Sequence, residues 1–331
     1  MSDGVVNQKR NLPLLATRER CAGKTFIVTG ANVGLGFEAA KHLAVLGAAR
    51  VVLGVRTPSK GEIAKADIDA AAGTAGSGVV SVWPLDLESF DSVRAFVRRA
   101  DQELERIDAV VENAAVALAE REMAEGHVKP VTVNVLSTLL MAVLLVPVMR
   151  AKAEKVADGV APRITLVTSR AGFDDDAHAG WEKVKEDPIK GMDAEDMVPV
   201  KTYPLSKVTE TIAVRHLARE VLPVEKGGVI INLVCPGLCI TQLGRNAPDA
   251  FAQRLRKMHD MYGRTAEDGS RTLLHGAMAG VESHGKLLHS CQDGEPDVPD
   301  WVNELGAQKN TWEVIARELE AVEPGCVSKM L

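Results

Sequence analysis

Tyr203 and Lys207, four residues apart in Tyr203-Pro204-Leu205-Ser206-Lys207, are a pair whose types and spacing could move a proton. On a helix that spacing puts both side chains on one face, within reach of a shared ligand. A nearby ammonium stabilises phenolate, so Lys207 should lower the tyrosine pKa from its ordinary value of about 10 toward a working range. Tyr203 is therefore a candidate general acid/base, a role that contributes about 10²–10⁴-fold in rate. Chance supplies so short a motif often. The chain has only 2 tyrosines, however, which narrows the choice of phenol.

A second group could hold a dinucleotide. Thr29-Gly30-Ala31-Asn32-Val33-Gly34-Leu35-Gly36 follows an apolar, β-branched run and opens a segment with helical spacing at Leu35, Ala39, Leu43 and Leu46. Glycines let the backbone approach a pyrophosphate, and a helix N-terminus offers free N–H groups and positive dipole. A tight strand–helix turn would use glycines too, but the strand–turn–helix context favours the dinucleotide. NAD sites usually carry an acid about twenty residues beyond the glycines. Arg56 stands there instead, and a guanidinium suits a 2′-phosphate through bidentate bonds, which points to NADP(H). The plainer reading of Arg56 is a solvated surface arginine; Lys60 could assist it or be only solvated.

These groups need a scaffold, and the pattern supplies one. Strands are expected at Thr25–Thr29, Arg50–Val55, Val79–Leu85, Ile107–Val111, Arg163–Thr168 and Val229–Val234. Helices are expected at Gly34–Gly47, Ser59–Ala72, Ser89–Glu105, around Asn134, and from about Tyr203. A helix near 267–280, a short strand near 286–291 and a helix near 311–321 complete the series. Nearly all-apolar strands alternating with helices predict an α/β fold, a doubly wound, Rossmann-type parallel sheet covered on both faces. Residues 1–22 read as an N-terminal arm and 23–331 as one domain, with an insertion at 173–200 and a substrate lid at 238–264. Val131–Met149 approaches membrane-spanning length, yet it carries Asn134, Ser137, Thr138 and Pro147, so a buried helix is the expectation.

Composition excludes several classes. The 331 residues are 46% apolar and 25% charged, ordinary globular proportions. A net charge of −6 argues against nucleic acid as a partner. Five scattered cysteines with no CxxC pair argue against a disulfide framework or zinc ribbon. The polar N-terminus is unlike a secretory signal, so a cytoplasmic protein in a reducing compartment is expected. Gly73–Gly78 has the wrong strand–helix polarity for a phosphate loop and reads as a connector. Asp174-Asp175-Asp176 with His178 reads as solvated, and no metal is expected. The basic segment 254–264 reads as part of a lid.

Taken in chain order, the glycine turn, Asn113-Ala114-Ala115, Ser169, Tyr203 with Lys207, and Pro236-Gly237-Leu238-Cys239-Ile240-Thr241 resemble the short-chain dehydrogenase/reductase family across about residues 20–245. TGANVGLGFEAAKHL with Arg56, the long segment before the tyrosine and VCPGLC resemble its retinol-dehydrogenase-like and fungal secondary-metabolism branches.

The resemblance implies an NADP(H)-dependent oxidoreductase of CH–OH/C=O groups with a small-molecule substrate. Tyr203 would be the proton donor, and Lys207 would hold the nicotinamide ribose and acidify the phenol. Ser169 would bond the substrate oxygen, and Asn134 would hold a relay water. Cofactor contacts would come from Gly30, Asn32, Val33, Gly34, Leu35, Gly36, Arg56, Asp86, Leu87, Asn113, Ala114, Pro236, Gly237 and Thr241, with Tyr203 and Lys207. Asp86 and Leu87 would meet adenine, and Thr241 the carboxamide.

Trp181, Met192, Met197 and Met258 are candidate substrate liners, or packing. Many relatives form dimers or tetramers on two long helices, so a homodimer is an expectation, although the segment before Tyr203 could cover that face. The sequence departs from the family at Val33, usually small and polar, and at Glu112-Asn113-Ala114-Ala115, where NNAG is usual. A methyl at Ala115 could disturb a backbone angle that glycine eases. Two rival readings remain: a cyclase, isomerase or epimerase on the same fold without net redox turnover, and a nucleotide-sensing binding protein.

Overall fold

The computed structural model describes residues 7–156, 158–246 and 249–331. Runs of β-branched and aliphatic residues form β1 (Thr25–Thr29), β2 (Arg50–Val55), β3 (Val80–Pro84) and β4 (Ala109–Glu112). After a small hairpin, β5 (Met123–Ala124) and β6 (His127–Val128), come β7 (Arg163–Val167), β8 (Ile230–Cys235), β9 (Leu287–His289) and β10 (Gln292–Asp293). Among the described residues the main sheet has the order β3-β2-β1-β4-β7-β8-β9-β10. Every pairing in it is parallel except the antiparallel edge β9–β10. The chain winds outward from β1 to β3, then restarts at β4 on the other side. A crevice therefore opens beyond the carboxyl ends of β1 and β4, where doubly wound sheets bind ligands.

Alternate side chains of each strand feed two cores. Ile27, Val52, Val110, Ile164 and Leu233 face α3 (Phe90–Glu103), α4 and α7; here α4 is the continuous helical run Lys129–Val156 and α7 is Pro199–His216. Phe26, Val51, Leu53, Val111 and Val234 face α1 (Gly34–Val45), α2 (Pro58–Ala72) and α9 (Ala266–Met278). The long apolar helix is α4. It could cross a membrane by length and composition, but 83% of its most apolar window is buried inside the protein. Its segment Thr132–Ser137 is π-helical, a local widening that often accompanies functional positions.

The insertion is ordered rather than a loop. It contains α5 (Asp175–Val184) and α6 (Pro188–Asp193), capped by the carboxylates of Asp174 and Asp187. Trp181 is 1% exposed and Met192 0% exposed, and both belong to the core under α7. As expected liners of a substrate pocket, these two are corrected to packing residues. His178 stacks on Trp301, their rings 4.5 Å apart, so it serves a side-chain contact.

The helix carrying Tyr203 begins earlier than its pattern suggests, at Pro199, because proline at the first helical position is already set for φ. The last long helix, α10 (Leu305–Val322), also begins early, and a further helix, α11 (Cys326–Met330), follows. α10 packs on α7, and α11 packs on α4. These C-terminal helices thus occupy part of the surface of both long helices.

Candidate active site

The glycine turn closes on β4. Thr29 is the hinge: its Oγ1 accepts from the N–H groups of Asn113 (2.9 Å) and Ala114 (3.0 Å), and its carbonyl accepts from Asn113 Nδ2 (2.9 Å). A Cβ on Gly36 would stand 2.6 Å from Asn113 Nδ2 and 2.8 Å from the Gly30 carbonyl oxygen. Only glycine allows that approach. Gly34, at φ +62°, starts α1, and the space above it is bounded by the Thr241 side chain, 3.7 Å from where a Cβ would be.

Val33 occupies the N-cap and offers no oxygen, so no side chain caps α1. The departure from a polar residue at Val33 thus leaves the first-turn N–H groups free for an anion rather than engaging them. That uncapped helix start, beside a cradle no Cβ could enter, fits a dinucleotide pyrophosphate. Ala115 has no positive φ, so its methyl imposes no backbone strain.

Farther along the crevice, Arg56 is 56% exposed in its side chain and pairs with Glu88, which also meets Lys129 at 3.0 Å. Lys60 is exposed. Asp86 accepts from the Glu88 N–H at 3.0 Å, while the Leu87 side chain is buried and its carbonyl accepts from Ser137 Oγ at 2.7 Å. This corner therefore presents Asp86 and the Leu87 backbone, not the Leu87 side chain. Asn32 is half-buried and Leu35 packs partly against the core beside α9.

On the β8 side, Pro236 is buried and its carbonyl accepts from Arg264 at 2.7 Å; Gly237 has φ +79°. Residues 240–263 leave and return at one point, because Ile240 N–H donates to the Arg264 carbonyl and Arg264 N–H to that of Leu238. Gln8 pins the same base, donating to the carbonyls of Leu238 (2.9 Å) and Tyr262 (2.6 Å). The excursion contains α8 (Asp249–Tyr262), in which Met258 is half-buried. Gln8 and Arg264 are anchors that sequence patterns do not reveal.

The catalytic candidates meet at the start of α7. Ser169, just past the end of β7, stands beside the half-buried Tyr203 and acts to lower the pKa of its phenol. Its Oγ also accepts from the Ala171 N–H at 3.2 Å. Arg215 fixes the far end of α7 with a bidentate bond to Glu295 (2.7 and 2.8 Å) and another to Asn303 (2.6 Å).

Asn134 is fully buried in the π-helical segment. Its Nδ2 donates to the Val116 carbonyl (2.9 Å) and Ser206 Oγ (3.0 Å), and its Oδ1 accepts from the Val116 N–H (2.9 Å). Both amide protons are spent on protein groups, so this side chain locks the loop after β4 to α7. Only an oxygen lone pair is left for a relay water.

Lys207 differs most from expectation. Its Nζ donates to the Val167 carbonyl at 2.8 Å and lies 3.1 Å from Glu210 Oε2, with the lysine 3% and the glutamate 0% exposed. The ammonium is thus neutralised by a neighbour one turn on. Burial pushes the Tyr203 phenol up to about 12; Ser169 opposes this, and Cys235 and Glu210 add to it. Lys207 is not among the groups that lower the phenol, and its charge is paired with Glu210.

The family profile described as short chain dehydrogenase matches residues 24–180. A short chain dehydrogenase/reductase from the fungus Cryptosporiopsis sp. is 36% identical over 93% of this chain and 94% of its own length. The chain belongs to the short-chain dehydrogenase/reductase family. A family member from Aspergillus flavipes is 35% identical, covering 94% of this chain and 89% of that protein. A short chain dehydrogenase from Alternaria solani is 38% identical over 81% of this chain and 90% of its own.

Among solved structures, a short-chain type dehydrogenase/reductase from Mycobacterium marinum superposes with TM-score 0.61 at 21% identity, covering 84% of this chain and 97% of that one. These likenesses confirm the Rossmann-type fold. The family is one of oxidoreductases that act on CH–OH and C=O groups of small molecules with NAD(P)(H).

Proposed function

We propose that this family member is a cytoplasmic, NADPH-dependent carbonyl reductase, or alcohol dehydrogenase in reverse. Its substrate is an apolar small molecule of the kind made in fungal secondary metabolism. The observation that carries the reading is that Ser169 and Tyr203 stand side by side beyond the carboxyl end of β7, at the same end of the sheet as the uncapped start of α1.

Ser169 Oγ and Tyr203 Oη form a pair of donors for one carbonyl oxygen. Tyr203 gives its proton to that oxygen, and Ser169 holds the oxygen in place while its charge develops. The N–H groups of Gly34, Leu35 and Gly36 would hold the phosphates, Arg56 the 2′-phosphate, Asn113 and Ala114 the cleft wall, and Thr241 the carboxamide. A bound dihydronicotinamide supplies hydride. Exposed Val198 and Val200, just before the tyrosine, and exposed Ile240 and Met261 on the excursion suit an apolar substrate. The described cysteines are free and buried, in keeping with a reducing compartment.

The test is NADPH consumption with a panel of ketones and aldehydes. Consumption matched to alcohol formation is expected; a changed product without consumption would favour the cyclase or isomerase reading, and binding alone the sensor. Cofactor choice has its own test. Arg56→Asp should lower the NADPH/NADH ratio of kcat/KM by about tenfold or more, since a hydrogen bond to a charged group is worth about 1.5–3 kcal/mol. An unaltered ratio would remove Arg56 from the 2′-phosphate site.

A further inference from the structure

Behind Tyr203 the structure holds two acids that the reaction above does not use. Glu112 ends β4, two residues beyond Val110, and so points to the same side of the sheet, toward α7. It is 3% exposed, and neither of its carboxylate oxygens has a hydrogen-bond partner. Glu210, on α7, is 0% exposed; one of its oxygens meets Lys207 and the other has no partner. Both positions stand beside family motifs: Glu112 opens the segment where NNAG is usual, and Glu210 follows the catalytic-type lysine by three.

Two buried carboxylates and one buried ammonium on the same side of the sheet carry a net negative charge. One added proton makes the set neutral. The charged or titratable groups acting on it are Lys207 and Glu210 from α7 for Glu112, and Lys207 for Glu210, with Tyr203 and Cys235 on the outer side.

We infer that Glu112 and Glu210 share one proton and, through it, set how much of the Lys207 charge reaches Tyr203, which makes them positioning residues for proton transfer. The inference rests on Tyr203 being the reacting acid. Burial pushes both carboxyls upward, Glu210 to about 7 against the pull of Lys207, and Glu112 well above the ordinary range with Glu210 adding to the effect. Among the described residues they are the only carboxyls moved in that direction. Such a pair titrates as a unit. While the proton is held, Glu112 is neutral and Glu210 alone faces Lys207. When it leaves, a second negative charge is added behind the phenol, and the tyrosine is held more firmly in its protonated form.

The test needs no substrate. With Tyr262→Phe as background, Tyr203 is the sole tyrosine, and its ionisation is read from tyrosinate absorbance. Glu210→Gln should free the Lys207 charge and lower the phenol pKa by about one unit or more, the effect of an opposite charge at short range. Glu210→Asp should return most of that shift. In infrared spectra at neutral pH, the wild type should show a protonated-carboxyl band, shifted in deuterium oxide, that is lost in Glu112→Gln. Glu112→Gln imitates the protonated acid and keeps the ion pair, so it serves even if Glu210→Gln does not fold.

An unmoved phenol titration in a folded Glu210→Gln protein overturns the inference, as does a wild type without the band. Since neither readout involves turnover, a protein that reduced no carbonyl compound would leave this result intact. Conversely, a silent carboxyl pair would leave the reductase reading intact.

Discussion

Tyr203→Phe should reduce carbonyl turnover by about 10²–10⁴-fold, the usual contribution of a positioned acid, while leaving NADPH affinity nearly unchanged. The substitution deletes one oxygen. Its stability cost is small because the residue is half-buried and its neighbour, the Ser169 hydroxyl, still has the Ala171 N–H. The direction of the phenol shift adds a pH signature. With Tyr203 held up to about 12, the acid form persists through neutral pH, so reduction should be insensitive to pH there. The reverse oxidation needs the phenolate and should rise with pH through the alkaline range. Turnover of the Phe variant within a few-fold of wild type, measured at saturating NADPH, would contradict the role given to Tyr203.

Lys207→Met should cost both stability and activity, and the two losses can be separated. Removing the cation from a buried pair leaves Glu210, and Glu112 behind it, without compensation. Such a loss typically costs about 3–5 kcal/mol. The double variant Lys207→Met with Glu210→Met replaces both charges by apolar groups of similar length, a change that is often neutral for stability. Denaturant unfolding should therefore show a large loss in the single variant and substantial recovery in the double one. Turnover should stay low in both, because neither has an ammonium to hold the nicotinamide ribose. Recovery of turnover together with stability would reduce Lys207 to a structural ion-pair partner.

Features set by local chemistry were legible in the sequence. The turn from Thr29 to Gly36 could be read because close backbone approach and a free helix start each demand a recognisable residue type. Tyr203 and Lys207 could be paired because helical geometry fixes which spacings share a face. The sheet followed from strands too apolar to be exposed on either side.

Long-range partnerships were not legible. Nothing in the neighbourhood of Lys207 says that its charge meets Glu210 rather than the phenol, since a side chain three residues on and one four residues back are equally placed by spacing. In the sequence Glu112 is only a departure from a motif, and only the topology shows it buried behind that lysine. Trp181 and Met192 could have lined a pocket or filled a core, and the choice depends on which face α5 and α6 turn to α7. The start of α10 was missed because Glu304 provides no side-chain cap, the usual signal for a helix N-terminus. Gln8 and Arg264 act on backbone carbonyls of segments remote in sequence, so no motif could mark them.

Isotope transfer bears most directly on the reaction itself. The protein would be incubated with an aliphatic or aromatic ketone and NADPH carrying deuterium at the transferable nicotinamide position, and the product analysed by mass spectrometry. Hydride delivery with proton donation by Tyr203 predicts one deuterium on the carbinol carbon of the alcohol, formed in step with NADP⁺ and nearly abolished by Tyr203→Phe. Product that forms without deuterium while the labelled cofactor is recovered unchanged would contradict it.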